Sequence, residues 1–169
     1  VKDRVDYSSS PGMAEAYRQA LEQAAVEPAT LTHVDLYSCF PVAVQLGARV
    51  LGFPTDGSRA LTVTGGLPYF GGAGNNFALH ALATMVERLR EAPGALGLVS
   101  ALGWYLTKHA VGIYGSAAPE RAWDRPASKE RQRLIDNLPH PQFVNAVTGP
   151  GAVETYTVVH DREGTPSEG

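Results

Sequence analysis

A chain of 169 residues, 44% hydrophobic and 18% charged, has apolar surface for one core and no room for two large domains. Its formal charge of -3, without a run of Lys or Arg, excludes a surface built to neutralise a nucleic-acid backbone, and its single cysteine, Cys39, excludes a disulfide framework and a multi-thiolate zinc site. No apolar stretch approaches the roughly 20 residues of a membrane span. The opening Val1-Lys2-Asp3-Arg4 is no signal peptide, so the reading is a globular, cytoplasmic protein.

The first helix is predicted from Ser10 as cap and Pro11 at the first helical position, with Met13, Tyr17, Ala20, Leu21 and Ala24 on one face. Glu27-Pro28 ends it. Val34-Asp35-Leu36-Tyr37 reads as a buried strand, and Pro41 opens a second helix that carries Val42, Leu46, Val50 and Leu51 inward until Gly52 and Pro54. Cys39 therefore lies at a strand-to-helix junction. Leu61-Thr62-Val63-Thr64 predicts a further short strand, followed by a glycine-rich loop from Gly65 to Gly74. With Asn75 or Asn76 as cap, residues 77–89 are apolar on nearly every side until Glu87, which predicts a helix enclosed by protein all round.

Ala92-Pro93-Gly94 ends that helix, and residues 96–101 and 105–114 predict two strands about a turn at Leu102-Gly103. The alternation of strands and helices indicates a layered α/β domain with a mixed sheet. After Ser116 the chain is rich in Pro, Arg and Glu, which predicts a surface linker containing one short polar helix over residues 128–136. Residues 153–160 predict a strand ending in the turn Asp161-Arg162-Glu163-Gly164. With no strand predicted to return, its unpaired edge implies a polypeptide that continues past Gly169.

Few residues point to chemistry. Cys39 is a candidate nucleophile whose thiol the amides of the following helix would acidify, or else a small buried hydrophobe. The loop around Gly71 and Gly72 permits close backbone approach to a ligand just before a helix N-terminus, although it lacks the last glycine of G-x-G-x-x-G. Asn75 and Asn76 are candidates to orient a water or a carbonyl, or simply to cap the helix. His80 reads as a general base or as a hydrogen-bonded core imidazole. Lys108 would lower the pKa of His109, and the pair would face solvent or a phosphate. The five histidines show no metal-ligand spacing, and no metal is expected.

The order of these features resembles the C-terminal half of a thiolase over roughly residues 7–119: a strand into Tyr37-Ser38-Cys39-Phe40, a double-glycine loop, an enclosed helix, then a strand pair. Gly65-Gly66-Leu67-Pro68, Asn75-Asn76 and Tyr105-Leu106-Thr107-Lys108-His109-Ala110 are similar to segments of actinobacterial acetyl-CoA acetyltransferase-like proteins. Thr148-Gly149-Pro150 through Arg162-Glu163-Gly164 resembles the start of the additional C-terminal domain of thiolase-like type 1 proteins. The resemblance implies a thiolase-like half-domain at residues 1–116 lacking its first strand, a linker at 117–147, and the start of a small β domain at 148–169. It also implies that the enclosed helix is sandwiched between two sheets, one of which this chain does not supply in full.

Against the family pattern, Tyr37 takes the place of the oxyanion-organising Asn or His. Gly71-Gly72-Ala73 falls on the Gly-His-Pro motif without its His. Ala101-Leu102-Gly103 falls on Cys-x-Gly without its Cys. The nucleophilic Cys of the family belongs to the other half. The resemblance implies part of an acyl-CoA acyltransferase acting on lipid or sterol-type thioesters, inactive as this piece alone. Tyr37, Cys39 and His80 would be its catalytic groups, and Gly71, Gly72, Asn75, Asn76, Lys108 and His109 would bind the coenzyme A thioester. Nothing would be held permanently, and the implied partners are acyl-CoA, the N-terminal thiolase half and a second copy in a homodimer. The alternatives are a degenerate coenzyme A-binding or partner-binding protein and a thiolase-fold lyase.

Overall fold

The computed structural model describes residues 3–119, 121, 122, 124, 128–153 and 156–168. Helix α1 (Pro11–Ala24) starts where the Ser10 hydroxyl accepts the Met13 N–H, and it ends at Ala25 in the left-handed conformation. A 3-10 turn at Pro28–Thr30 leads into β1 (Leu31–Asp35), three residues earlier than the predicted strand. Helix α2 (Pro41–Leu51) follows, closed by Gly52 at φ 71°. It buries Ala43, Leu46, Gly47, Ala48 and Leu51. Val42 and Val50, expected to point inward, are exposed, because the small residues Ala43, Gly47 and Ala48 carry the close-packed face.

No strand forms at Leu61-Thr62-Val63-Thr64. Leu61 accepts the Leu36 N–H, but the amides of Val63 and Thr64 turn to the Asp35 side chain instead of a neighbouring strand. Within the glycine-rich loop, Leu67–Phe70 coil into a short helix, α3, and Gly74–Asn76 form a 3-10 turn before helix α4 (Phe77–Glu91). Strands β2 (Leu96–Gly103) and β3 (Lys108–Gly115) form a hairpin whose turn lies at residues 104–107, beyond the predicted Leu102-Gly103. Trp104 and Leu106 in that turn have φ of 55° and 59°, the left-handed region that side chains disfavour.

The sheet has the order β1-β2-β3, with β1 parallel and β3 antiparallel to the central β2. Alternation along β2 sends Leu98 to one face and Val99 to the other. Leu98 joins Leu31, Val34, Leu36, Met13, Tyr17, Leu46 and Leu51 in the larger core, under α1 and α2. Val99 joins Ala81, Met85 and Leu89 under α4.

Helix α4 departs from the enclosed helix expected of its sequence. It buries one stripe, Phe77, Ala81, Met85 and Leu89, at every fourth residue, while Ala83 and Glu87 face outward and Leu79 is 61% exposed. The reason is geometric: this chain places a sheet against one side of the helix only. The polar helix over residues 128–136 forms as predicted, as α5 (Ser128–Asp136). It packs on α1, where Arg131 reaches both Glu15 and Glu22.

The predicted strand at 153–160 is reduced to β4 (Val159–His160), Glu154 and Thr155 lying outside the described residues. A strand does return: β5 (Pro166–Glu168) pairs antiparallel with β4. The Asp161 carboxylate accepts the N–H groups of Glu163 and Thr165, which turns the chain back sharply. Among the described residues, no helix is long and apolar enough to cross a membrane.

Candidate functional site

The carboxyl ends of β1 and β2 lie side by side, and the chain leaving β1 runs over a buried polar base that the sequence reading did not single out. Asp35 is 0% exposed, and its Oδ2 accepts from the Val63 N–H at 2.9 Å, the Thr64 N–H at 3.1 Å and the Thr64 hydroxyl at 2.9 Å. Its Oδ1 is buried with no hydrogen-bond partner among the described residues. Burial raises the Asp35 carboxyl above the ordinary range, and the Thr64 and Val63 donors offset part of that rise.

Beside it, Ser100 Oγ accepts the Tyr37 N–H at 2.9 Å. The Tyr17 hydroxyl faces Ser100 from α1 and is pushed up to about 12, mainly by burial. Ser38 Oγ accepts the Leu67 N–H at 2.8 Å and so ties the chain after β1 to the start of α3. An aspartate inside the otherwise apolar run Val34-Asp35-Leu36-Tyr37, six residues before the proline that opens a helix, was the one available sign of this base.

On that base the half-buried Tyr37 ring meets Phe77 edge-on at 5.7 Å. Phe77 meets Phe70 of α3 at 6.0 Å, and Phe70 meets the His80 imidazole at 5.6 Å. His80 Nε2 lies 3.1 Å from Asn76 Nδ2. The Asn76 amide donates in this pair and the ring nitrogen accepts. Asn76 therefore does not cap α4 with its side chain, as expected, but pairs with His80 one turn further on. Tyr37, Asn76 and His80 are thus gathered around two phenylalanines.

Burial raises the Tyr37 phenol, and Cys39 adds to the shift. Burial also raises the Cys39 thiol, with the Phe40 and Cys39 backbone donors offsetting it only in part. This corrects the expectation that the start of α2 acidifies the thiol. Desolvation outweighs the helix amides, and a neutral thiol is a poor nucleophile. Tyr37, by contrast, keeps its proton and remains a hydrogen-bond donor.

The remaining expected ligands of a thioester divide. Gly71 ends α3 at φ 100°, its N–H bonded to the Leu67 carbonyl, and Gly72 packs on Leu67. Both are exposed, as is Asn75. Lys108 and His109 are adjacent on β3 and so point to opposite faces of the sheet. His109 is turned toward α1, with Nε2 3.1 Å from the Leu106 carbonyl and 3.4 Å from Ser10 Oγ. Its pKa is lowered by burial, with a smaller contribution from Arg4, rather than by Lys108 as expected. His109 is a packed residue of the α1 interface and does not form a ligand pair with Lys108. No group of three or more His, Cys, Asp or Glu that could hold a metal occurs among the described residues.

The family model described as thiolase-like protein type 1 additional C-terminal domain matches residues 130–169. Among solved structures, a monomeric SCP2-thiolase-like protein type 1 from Mycobacterium smegmatis is 35% identical, with a TM-score of 0.81 over 97% of this chain. This chain belongs to the thiolase superfamily, as a thiolase-like type 1 protein. It spans 39% of the length of that relative. No curated protein matches it. The mixed sheet and its flanking helices are accordingly a thiolase-like fold. In thiolase-like terms, the cluster of Tyr37, Phe77, Phe70 and His80 stands at the carboxyl ends of β1 and β2, where open α/β sheets place their ligands.

Proposed function

We propose that this chain is the part of a thiolase-like protein that holds the carbonyl end of an acyl-coenzyme A thioester, with acyl groups of lipid or sterol type. The observation that carries the reading is the cluster in which a protonated Tyr37 and an Asn76-held His80 share one aromatic wall. A phenol that keeps its proton donates to a carbonyl oxygen, and an apolar wall strengthens that bond by excluding water. Cys39, its thiol neutral, takes no acyl group in this reading. The raised phenol also argues against the lyase reading, which needs Tyr37 to give up its proton readily.

Acyl transfer is the fuller version of the same proposal, with the nucleophile coming from outside this chain. The pairing that fixes His80 favours it, since a positioned imidazole can donate to a developing oxyanion. A homodimer is not part of this reading, the similar protein being described as monomeric.

Calorimetric titration of the protein carrying this chain with acetyl-coenzyme A, and mass spectrometry after incubation, test it. Saturable binding weakened about tenfold in Tyr37→Phe is the expected result. An acyl adduct on a cysteine outside this chain establishes transfer, and an adduct on Cys39 overturns the assignment of that residue. Binding equal in the wild type, Tyr37→Phe and His80→Ala would remove the site.

A further inference from the structure

Helix α3 spans four residues, far short of the roughly 12–15 that a helix needs to hold itself in water, so its position is set from outside. Its turn depends on one residue. The Gly66 carbonyl accepts the N–H groups of Tyr69 at 3.1 Å and of Phe70 at 2.9 Å. Gly66 stands at φ 91°, a conformation that side chains disfavour, and a Cβ there would come within 3.4 Å of Ser38 Oγ. Whatever fixes the peptide groups on either side of Gly66 therefore fixes where α3 points.

Both groups are held by hydroxyls. The Gly66 N–H donates to Thr64 Oγ1 at 3.2 Å, and the Leu67 N–H donates to Ser38 Oγ at 2.8 Å. A hydroxyl has one proton, and Thr64 gives its own to Asp35 Oδ2 at 2.9 Å, which leaves only lone pairs to face Gly66. The same carboxylate oxygen accepts the Val63 and Thr64 N–H groups and so sets where the threonine stands. Asp35 can do this because it is the last residue of β1, in register with Val99 of β2 and fully buried.

Phe70 is the last residue of α3, and its ring joins Phe77, at 6.0 Å, to His80, at 5.6 Å. It is 42% exposed, so burial alone does not keep it there. We propose that Asp35 is a positioning residue for this cluster: through Thr64 and Gly66 it aims α3 so that Phe70 closes the wall between Phe77 and His80. The proposal rests on the thioester reading for what the cluster holds. Asp35 itself, beneath the wall, touches no ligand.

Hydrogen exchange read by mass spectrometry on the protein carrying this chain tests the positioning, and calorimetric titration with acetyl-coenzyme A tests its consequence. Thr64→Val keeps the shape and the N–H of the threonine but removes its hydroxyl. It is expected to speed exchange of the amides at 69–71 about tenfold, with those of β2 unchanged, and to weaken acetyl-coenzyme A binding about tenfold. Thr64→Ser should restore both. Asp35→Ala should act as Thr64→Val does, whereas Asp35→Asn, which keeps an acceptor, should not; if Asp35→Ala fails to fold, the threonine pair decides. Exchange at 69–71 unchanged in Thr64→Val, or raised equally along β2, overturns the proposal, as does acetyl-coenzyme A binding that Thr64→Val leaves at the wild-type affinity. A wild type that binds no acetyl-coenzyme A removes the thioester reading, and the exchange rates then decide the positioning by themselves.

Discussion

On the α1–α2 side of the sheet, Leu31, Val34, Leu36 and Leu98 lie sealed beneath Met13, Tyr17, Leu46 and Leu51. On the α4 side, Val99 meets a single stripe of Ala81, Met85 and Leu89, and beyond its end lies the cluster of Tyr37, Phe70, Phe77 and His80. One sheet thus carries most of the apolar burial on one face and the candidate chemistry on the other. The contrast bears on Tyr37, Gly72 and Ala101, where the resemblance implies altered catalytic motifs. None of the three belongs to the larger core.

The comparison is tested most severely by Leu98→Ala, which empties the centre of the larger core. A loss of about 2–5 kcal/mol in unfolding free energy is expected by chemical denaturation. Leu79→Ala, on the outer side of α4, should change stability by no more than about 0.5 kcal/mol, and equal losses at the two positions would erase the distinction.

A smaller effect should separate close packing from burial on the α4 side. A Cβ at Gly97 would overlap Met85 Sδ and approach Met85 Cγ to 3.0 Å. Gly97→Ala should cost about 1–3 kcal/mol, partly restored by Met85→Ala in a double-mutant cycle.

Asp35 sharpens the comparison through pH. Because burial raises its pKa, the folded state binds this proton more tightly than the unfolded state does. Its contribution to stability is therefore fully present below the ordinary carboxylate value and is lost as pH rises through the raised one. Asp35→Asn keeps an acceptor for Val63 and Thr64, so a loss of about 1 kcal/mol is expected, with that pH dependence flattened in denaturation curves.

The smallest effect belongs to the contact between α5 and α1. Arg131 and its partner Glu22 are both substantially exposed, so Arg131→Ala should cost less than about 1 kcal/mol and lose even that in high salt.

Much of the architecture was legible because it rests on local rules. Ser10-Pro11 and Pro41 fixed the starts of α1 and α2, and Ser128 to Asp136 coincides with α5. The thiolase likeness was legible in the ordered segments around Cys39, Gly65-Gly66 and Asn75-Asn76. Less of the site was legible. Tyr37 and His80 stood out by type, but their meeting depends on Phe70, which only the short α3 turns toward Phe77. Lys108 and His109 looked like a pair because they are adjacent, and strand alternation separates them.

The sequence by itself determined where α1, α2 and α5 begin, which face of α1 is apolar, and to which superfamily the segments are similar, since capping, periodicity and motif order are properties of neighbours along the chain. Only the tertiary structure decided that Val63 and Thr64 bond to the Asp35 carboxylate instead of forming a strand, that Cys39 is desolvated, and that α4 buries one side. Each of those outcomes depends on which groups from distant parts of the chain compete for a hydrogen bond or exclude water, and no local pattern encodes that competition.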